Sequence, residues 1–286
     1  MIYLLLVSLV WAFSFGLIKG NLTGLDSNFV SFCRMAVSLA VFLPVLRLRK
    51  VKFQLGWKLA LIGALQFGIM YITYIAAFKW LQAYEVALFT IFTPLYVVIA
   101  EDALQKKFHP VYLLTAVISI AGTWIIKGQE LLSPHILGGF LLVQVSNLCF
   151  ALGQVLYRRL MAKESGVKDM EVFGILYFGA VLLTGAATLA FVPLRSIALT
   201  GKQIWTLLYL GAVASGISFF LWNLGARRVN AGALAIFNDL KIPLAVLVSL
   251  LVFKEQTNLP NLLIGGAVML AALAFNEWYT RKKKQA

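Results

Sequence analysis

Pro94-Leu95-Tyr96-Val97-Val98 and Pro243-Leu244-Ala245-Val246-Leu247 begin 149 residues apart (243 − 94), each inside a long apolar run, 82–104 and 230–252. A run of ~20 apolar residues spans a bilayer. A proline is tolerated in such a helix because neighbouring groups satisfy the carbonyl it frees. The same offset separates Pro44, which closes Phe42-Leu43-Pro44, from Pro193, which closes Phe191-Val192-Pro193. Nearer the start, Trp11-Ala12 through Lys19 aligns with Phe150-Ala151 through Arg158 at an offset of 139 (158 − 19). The difference between the two offsets falls in the basic loop after Arg158. The spacing therefore describes one unit written twice.

Outward from these two runs the pattern continues. Apolar stretches at 2–18, 28–46, 57–78, 82–104, 110–126, 136–157, 171–193, 203–224, 230–252 and 259–279 follow one another with little between them. Hydrophobic residues make up 61% of the chain and charged ones 13%, about half the charge of a soluble domain. Helices satisfy their own backbone in lipid, so the expected fold is all-α integral membrane, with ten spans as two five-helix repeats, 1–130 and 131–286. The run from Ile2 has no basic leader and no small-residue cleavage site, and reads as a span rather than a signal peptide. With the N-terminus inside, about 17 basic residues fall in inner loops and the tail, against about six outside. Both termini are thus expected on the cytoplasmic side of the inner (plasma) membrane, with Trp278 and Tyr279 as interfacial anchors. Five spans per repeat insert the second copy upside down, a construction found in secondary transporters that bind substrate near the midplane.

The net charge of +14 does not point to nucleic acid, because the basic residues sit in short clusters between spans. His109 and His135 are the only histidines, and the topology puts them on opposite sides. Cys33 and Cys149 lie in separate apolar runs without metal-ligand spacing. No metal site, resident cofactor, catalytic triad or Walker loop is expected. Asn21-Leu22-Thr23 reads as a chance sequon in an outer loop, and Glu101 and Asp102 as a solvated helix end near Lys106.

Leu9-Val10-Trp11-Ala12-Phe13-Ser14-Phe15-Gly16-Leu17-Ile18-Lys19 resembles the first-helix motif of EamA-type transporters of the drug/metabolite transporter superfamily. Arg34 in Phe32-Cys33-Arg34-Met35-Ala36 resembles that family's second-helix arginine. Pro94 and Pro243 match its prolines in helices four and nine, and Glu255 its glutamate after helix nine. Ala151-Leu152-Gly153 through Arg158-Arg159 resembles the opening of its second repeat. The family's glutamate after helix four would fall at 106, where Lys106 stands. The resemblance implies a small amphipathic cargo, such as an amino acid or a relative of one.

Asp239 and Lys241, in the middle of the ninth run, depart from that family's apolar pattern. Each costs ~2.5–3.5 kcal/mol to place at a helix centre, so each faces a cavity or a partner helix. Their repeat mates are Thr90 and Phe92. As a site, Asp239 would attract an ammonium or a proton, making it the proton-coupling candidate, and Lys241 would attract a carboxylate; Asn238 adjoins them. Gln144, Asn147, Ala151, Gln154 and Arg158 share one face of the sixth helix. That face either lines the pathway or holds helices together. Trp222 and Asn223 on the eighth helix, Gln66, Tyr71 and Tyr74 on the third, and Trp11 and Ser14 on the first complete the candidate substrate-binding set. Arg34 either joins them or anchors helices. Pro94 and Pro243 are hinge candidates, or static kinks. Gly211 with Ser215, and Gly265 with Gly266, read as close-packing positions. The expected cavity lies between helices one, three, six, eight and nine, in a monomer or homodimer whose partners are the small-molecule substrate and the bilayer. A larger zwitterion such as S-adenosylmethionine is the alternative cargo. A membrane enzyme or a structural subunit is the alternative class.

Overall fold

The computed structural model describes residues 2–106, 111–127, 132–164, 166–228 and 231–285. His109 and the boundary expected at 130/131 lie outside them. Asn238 and Asp239 fall on a described helix, but their side chains lie outside the described residues.

The described residues form helices and connecting turns, without strands. Joined where they run on without a break, the helices are α1 (Ile2–Leu22), α2 (Ser27–Val45), α3 (Phe53–Ala77) and α4 (Ala83–Leu104), then α5 (Val111–Lys127). They continue as α6 (Pro134–Ala162), α7 (Asp169–Phe191) and α8 (Gly201–Arg228), α9 (Ala231–Leu251) and α10 (Leu259–Gln285). Seven of these, α1–α4 and α6–α8, are long and apolar enough to cross a membrane. The other three hold shorter apolar stretches, Val117–Ile126, Leu240–Leu251 and Leu259–Ala272. Composition and length therefore support seven spans directly, against the ten expected.

Several helices overrun the limits read from the sequence. α1 continues to Leu22, so Asn21 is helical and its side-chain amide donates to Thr206 Oγ1 at 3.0 Å; the sequon is not a free loop. The starts follow capping chemistry. The Asp26 carboxylate accepts from the Asn28 N–H at 2.8 Å ahead of α2. Gln82 with Glu85 closes a capping box on α4, and Thr200 with Gln203 closes one on α8. Large apolar side chains on the outside, such as Leu6, Phe13, Leu182 and Leu263, are exposed in the isolated chain and would meet lipid.

The pairing of helices has a regular form. α1 packs on α9 and α6 on α4; α2 packs on α8 and α7 on α3; α2 also meets α7, and α5 meets α10. Adding five to each helix number returns the same set. The close approaches use glycine: a Cβ on Gly63 would sit 1.9 Å from the Leu176 carbonyl oxygen, and one on Gly179 the same distance from that of Ala60. Gly265 similarly meets the Gly122 backbone, whereas Gly266 has open space, so Gly266 is not the close-packing position expected.

Two helices carry a π-helical stretch at matching positions, Ala64–Ile69 in α3 and Leu210–Ile217 in α8. Such stretches leave carbonyls without their usual partner and often mark functional sites. The two hinge candidates differ. Pro94 follows a 3-10 turn, Thr90–Phe92, that interrupts α4, whereas Pro243 sits inside an uninterrupted α9.

Candidate substrate cavity

A small cavity lies between the helices. Its walls come from α1 (Trp11, Ser14, Phe15), α2 (Arg34), α3 (Met70, Tyr71, Tyr74), α4 (Thr90, Thr93), α6 (Ser146, Asn147, Phe150), α8 (Phe219) and α9 (Lys241). Among the described residues, none of the lining side chains is acidic.

Arg34 is 2% exposed on a helix with no carboxylate neighbour in sequence. Its Nε and Nη2 donate to Ser215 Oγ at 3.1 and 2.9 Å, and Nη2 also donates to the Tyr71 hydroxyl at 2.8 Å. The Tyr71 and Ser215 hydroxyls lie 2.8 Å apart, and the guanidinium carbon stands 4.3 Å from the Tyr71 ring centroid. Ser215 reaches Arg34 because it sits in the α8 π stretch, so it is a ligand of the guanidinium rather than a packing residue. The third nitrogen, Nη1, is buried without a hydrogen-bond partner.

Lys241, 5% exposed, holds its ammonium 5.3 Å from the centroid of the Trp11 ring, within cation–π range. The Trp11 indole N–H donates to the Ala214 carbonyl at 2.9 Å, another acceptor in the α8 π stretch. Trp11 also stands 4.9 Å, centroid to centroid, from both Phe219 and Trp222. Tyr74 meets Phe15 and Tyr71 edge-on. The walls are thus aromatic, with two cationic side chains set among them.

The polar face of α6 is divided. Asn147 lines the cavity while its amide donates to the Phe89 carbonyl at 2.9 Å. That carbonyl precedes the 3-10 turn, where the Thr93 N–H turns to Thr90 instead. Gln144 accepts from the Tyr96 hydroxyl at 3.3 Å and lies outside the lining. Gln154 accepts from the Trp222 indole at 3.1 Å. Gln66 donates a long bond, 3.4 Å, to Asn223 Oδ1, and its own Oε1 is buried without a partner. Gln66, Gln154, Trp222 and Asn223 therefore form a buried polar layer beside the cavity rather than part of its lining.

At the end where α6 finishes, Glu101 on α4 is gripped by Arg158 and Arg159. Glu101 is therefore an interhelical partner, not the solvated helix end expected. At the same end Asp169, in the first turn of α7, receives Arg227 from α8 and the Tyr157 hydroxyl from α6 at 2.6 Å. At the opposite end Glu255 accepts from the Ala83 and Tyr84 backbone N–H groups at 2.8 and 3.1 Å. A carboxylate at a helix N-terminus complements its dipole.

Of the sequence candidates, the fold brings Trp11, Ser14, Arg34, Tyr71, Tyr74, Asn147 and Lys241 to the cavity. It keeps Gln66, Gln144, Gln154, Trp222 and Asn223 out of the lining. The expected walls, helices one, three, six, eight and nine, left out α4 and, although Arg34 was a candidate, α2; Phe15, Met70, Thr93, Ser146, Phe150 and Phe219 line the cavity without having been singled out. Thr90 carried a signal, since it is the repeat mate of Asp239.

This constellation, a central aromatic cavity between paired membrane helices, defines a membrane transporter. The chain belongs to the EamA-like transporter family, whose profile matches residues 1–128 and 137–277, and it is a multi-pass inner-membrane protein. It is 39% identical to the "Probable biotin transporter" of Pseudomonas aeruginosa over 96% of each chain. It is 37% identical to the "Biotin transporter" of Salmonella typhimurium, over 99% of this chain and 93% of that one. The "Biotin transporter" of Escherichia coli K12 is 36% identical over the same shares. A solved structure titled "Crystal structure of protein", 19% identical, superposes with a TM-score of 0.68 over 97% of this chain and 98% of its own, a likeness of fold.

Proposed function

We propose that the chain carries biotin, or a close relative of it, across the inner membrane by alternating access. The observation that carries this reading is near-full-length identity of 36–39% to proteins named as biotin transporters. The cavity supports it: biotin has one carboxylate on an otherwise neutral, compact body, and the walls offer cationic groups among aromatic rings. The ten spans, the inverted repeats 1–130 and 131–286, and cytoplasmic termini belong to the same reading. The pairing of helices that survives a shift of five and the matched π stretches support the repeat. Under this topology the two carboxylate–arginine clusters close the cytoplasmic end, and the halves rock to open each side in turn. Pro94, beside the break in α4, is the better-placed hinge.

A second reading keeps the zwitterionic cargo, an amino acid or S-adenosylmethionine. Asp239, a carboxylate two residues along α9 from Lys241 in the sequence, is what favours it, because a zwitterionic cargo carries an ammonium that a carboxylate attracts. Counterflow by the purified chain in proteoliposomes separates the two. Radiolabelled biotin that accumulates, and is displaced by unlabelled biotin but not by amino acids, supports the first reading. Uptake of amino acids or S-adenosylmethionine without biotin overturns it in favour of the second. Loss of uptake in Asp239→Asn under an imposed pH gradient alone would make Asp239 the proton-coupling group.

A further inference from the structure

We infer that Arg34 is the anchor for the substrate's carboxylate, so that the cargo class is set by a free carboxyl group. The inference rests on the transport reading above and adds to it the residue that chooses the cargo.

Three observations converge on Arg34. It lines the central cavity, it is 2% exposed, and its Nη1 has no hydrogen-bond partner. A guanidinium has five N–H donors in a planar fork and no accessible neutral form. Here that fork is held by two neutral hydroxyls, Tyr71 and Ser215, and by the face of a ring. Neutral oxygens orient the group without neutralising it. A buried charge without an opposite charge is costly in a medium that screens poorly, and among the described residues lining the cavity no carboxylate supplies one. A carboxylate brought by the substrate would supply it, and the fork geometry suits a planar two-oxygen acceptor better than a halide or a hydroxyl.

Lys241 reinforces the choice. Its ammonium lies over Trp11, on the cavity wall, and adds positive potential without the fork. Arg34 is shut from solvent in this state, so the carboxylate reaches Nη1 as the cavity widens on entry. The rest of the cargo would lie against Trp11, Tyr74, Phe150 and Phe219, which offer rings rather than charge. A cationic compound meets like charge at the fork, and a neutral one leaves Nη1 without its charged partner.

The experiment measures binding of tritiated biotin to the purified full chain, with competition by unlabelled biotin, biotin amide, biotinol and a panel of unrelated small monocarboxylates. In the wild type, the amide and the alcohol should compete at least 30-fold more weakly than biotin, the scale of losing one partner of a buried charged pair. Arg34→Gln should bind biotin no better than the wild type binds the amide, and Arg34→Lys should recover part of the difference. Thermal unfolding in detergent checks that each variant is folded. Should Arg34→Gln not fold, the wild-type comparison of acid with amide still decides, since it uses no variant.

Equal competition by acid and amide, or an acid preference that persists in folded Arg34→Gln, overturns the anchor and leaves the biotin reading standing. A chain that ignores biotin but binds another monocarboxylate, with the preference lost in Arg34→Gln, upholds the anchor while the biotin reading fails. A chain that binds only neutral or cationic compounds overturns both.

Discussion

Trp11 shows how one side chain serves several constraints. Its ring contacts Phe150, Phe219 and Trp222, its N–H satisfies a π-stretch carbonyl, and its face receives the Lys241 ammonium. Phenylalanine keeps most of the ring area but leaves the Ala214 carbonyl without that donor. Trp11→Phe should therefore cost about 1–3 kcal/mol, the penalty for stranding a buried polar group, seen as a lower unfolding temperature in detergent. Biotin binding should weaken as well, because Phe holds a cation less well than Trp. Unchanged unfolding and unchanged binding would show that the indole is ordinary packing. Ser215 makes the complementary case. Ser215→Ala leaves Arg34 charged but removes its Ser215 contacts, so binding should weaken several-fold while preference for the acid over the amide persists; loss of that preference would assign the selection to Ser215 itself.

At the scale of the element, helix contacts depend on small residues. In lipid there is little hydrophobic drive between helices, so close backbone approach supplies the packing. Gly63 and Gly179 bring α3 and α7 together against backbone that cannot rotate aside. Gly63→Ala and Gly179→Ala should each destabilise the protein by about 1–3 kcal/mol through overpacking. Gly266→Ala, with nothing within 4 Å of the added carbon, should leave the unfolding temperature unchanged or raise it slightly, since alanine is the better helix former. A Gly266 variant as damaged as the other two would show that the loss comes from the added methyl in lipid contact rather than from the α3–α7 crossing.

At the scale of the whole molecule, the ion pairs cluster where α4, α6, α7 and α8 meet. Glu101 with Arg158 and Arg159 joins the two proposed halves, whereas Asp169 with Arg227 joins two helices of the second half. These pairs are partly exposed, and such pairs contribute about 0–1 kcal/mol each. Glu101→Gln should therefore shift the balance of states several-fold toward one open at that end, without unfolding. A cysteine placed beside Asn223, in a chain freed of Cys33 and Cys149, should then react faster with a membrane-impermeant thiol reagent from the cytoplasmic side. Faster reaction from the other side would reverse the assignment of ends. Reporter fusions at both termini test the orientation itself, and activity of a periplasm-dependent reporter there would overturn the cytoplasmic assignment.

The sequence by itself determined what is local or periodic. Composition and run length mark a membrane protein, proline spacing suggests the repeat proposed above, and the helix-six stripe marks an inward face, because each can be counted along one strand of sequence. Lys241 was legible as a cavity candidate for the same reason: a charge at the centre of an apolar run has few places to go. Only the tertiary structure decided partners. Arg34 meets Ser215 across 181 residues and Asn147 meets the Phe89 carbonyl across 58, and no periodicity encodes which faces meet. The π stretches that present Ser215 and Ala214 leave no compositional mark, so α2's role as a wall, and the difference between Asn147 in the lining and Gln154 beside it, had to wait for the packing. Partner choice in a bundle follows from how ten helical surfaces fit together at once, and that is a property of the folded whole.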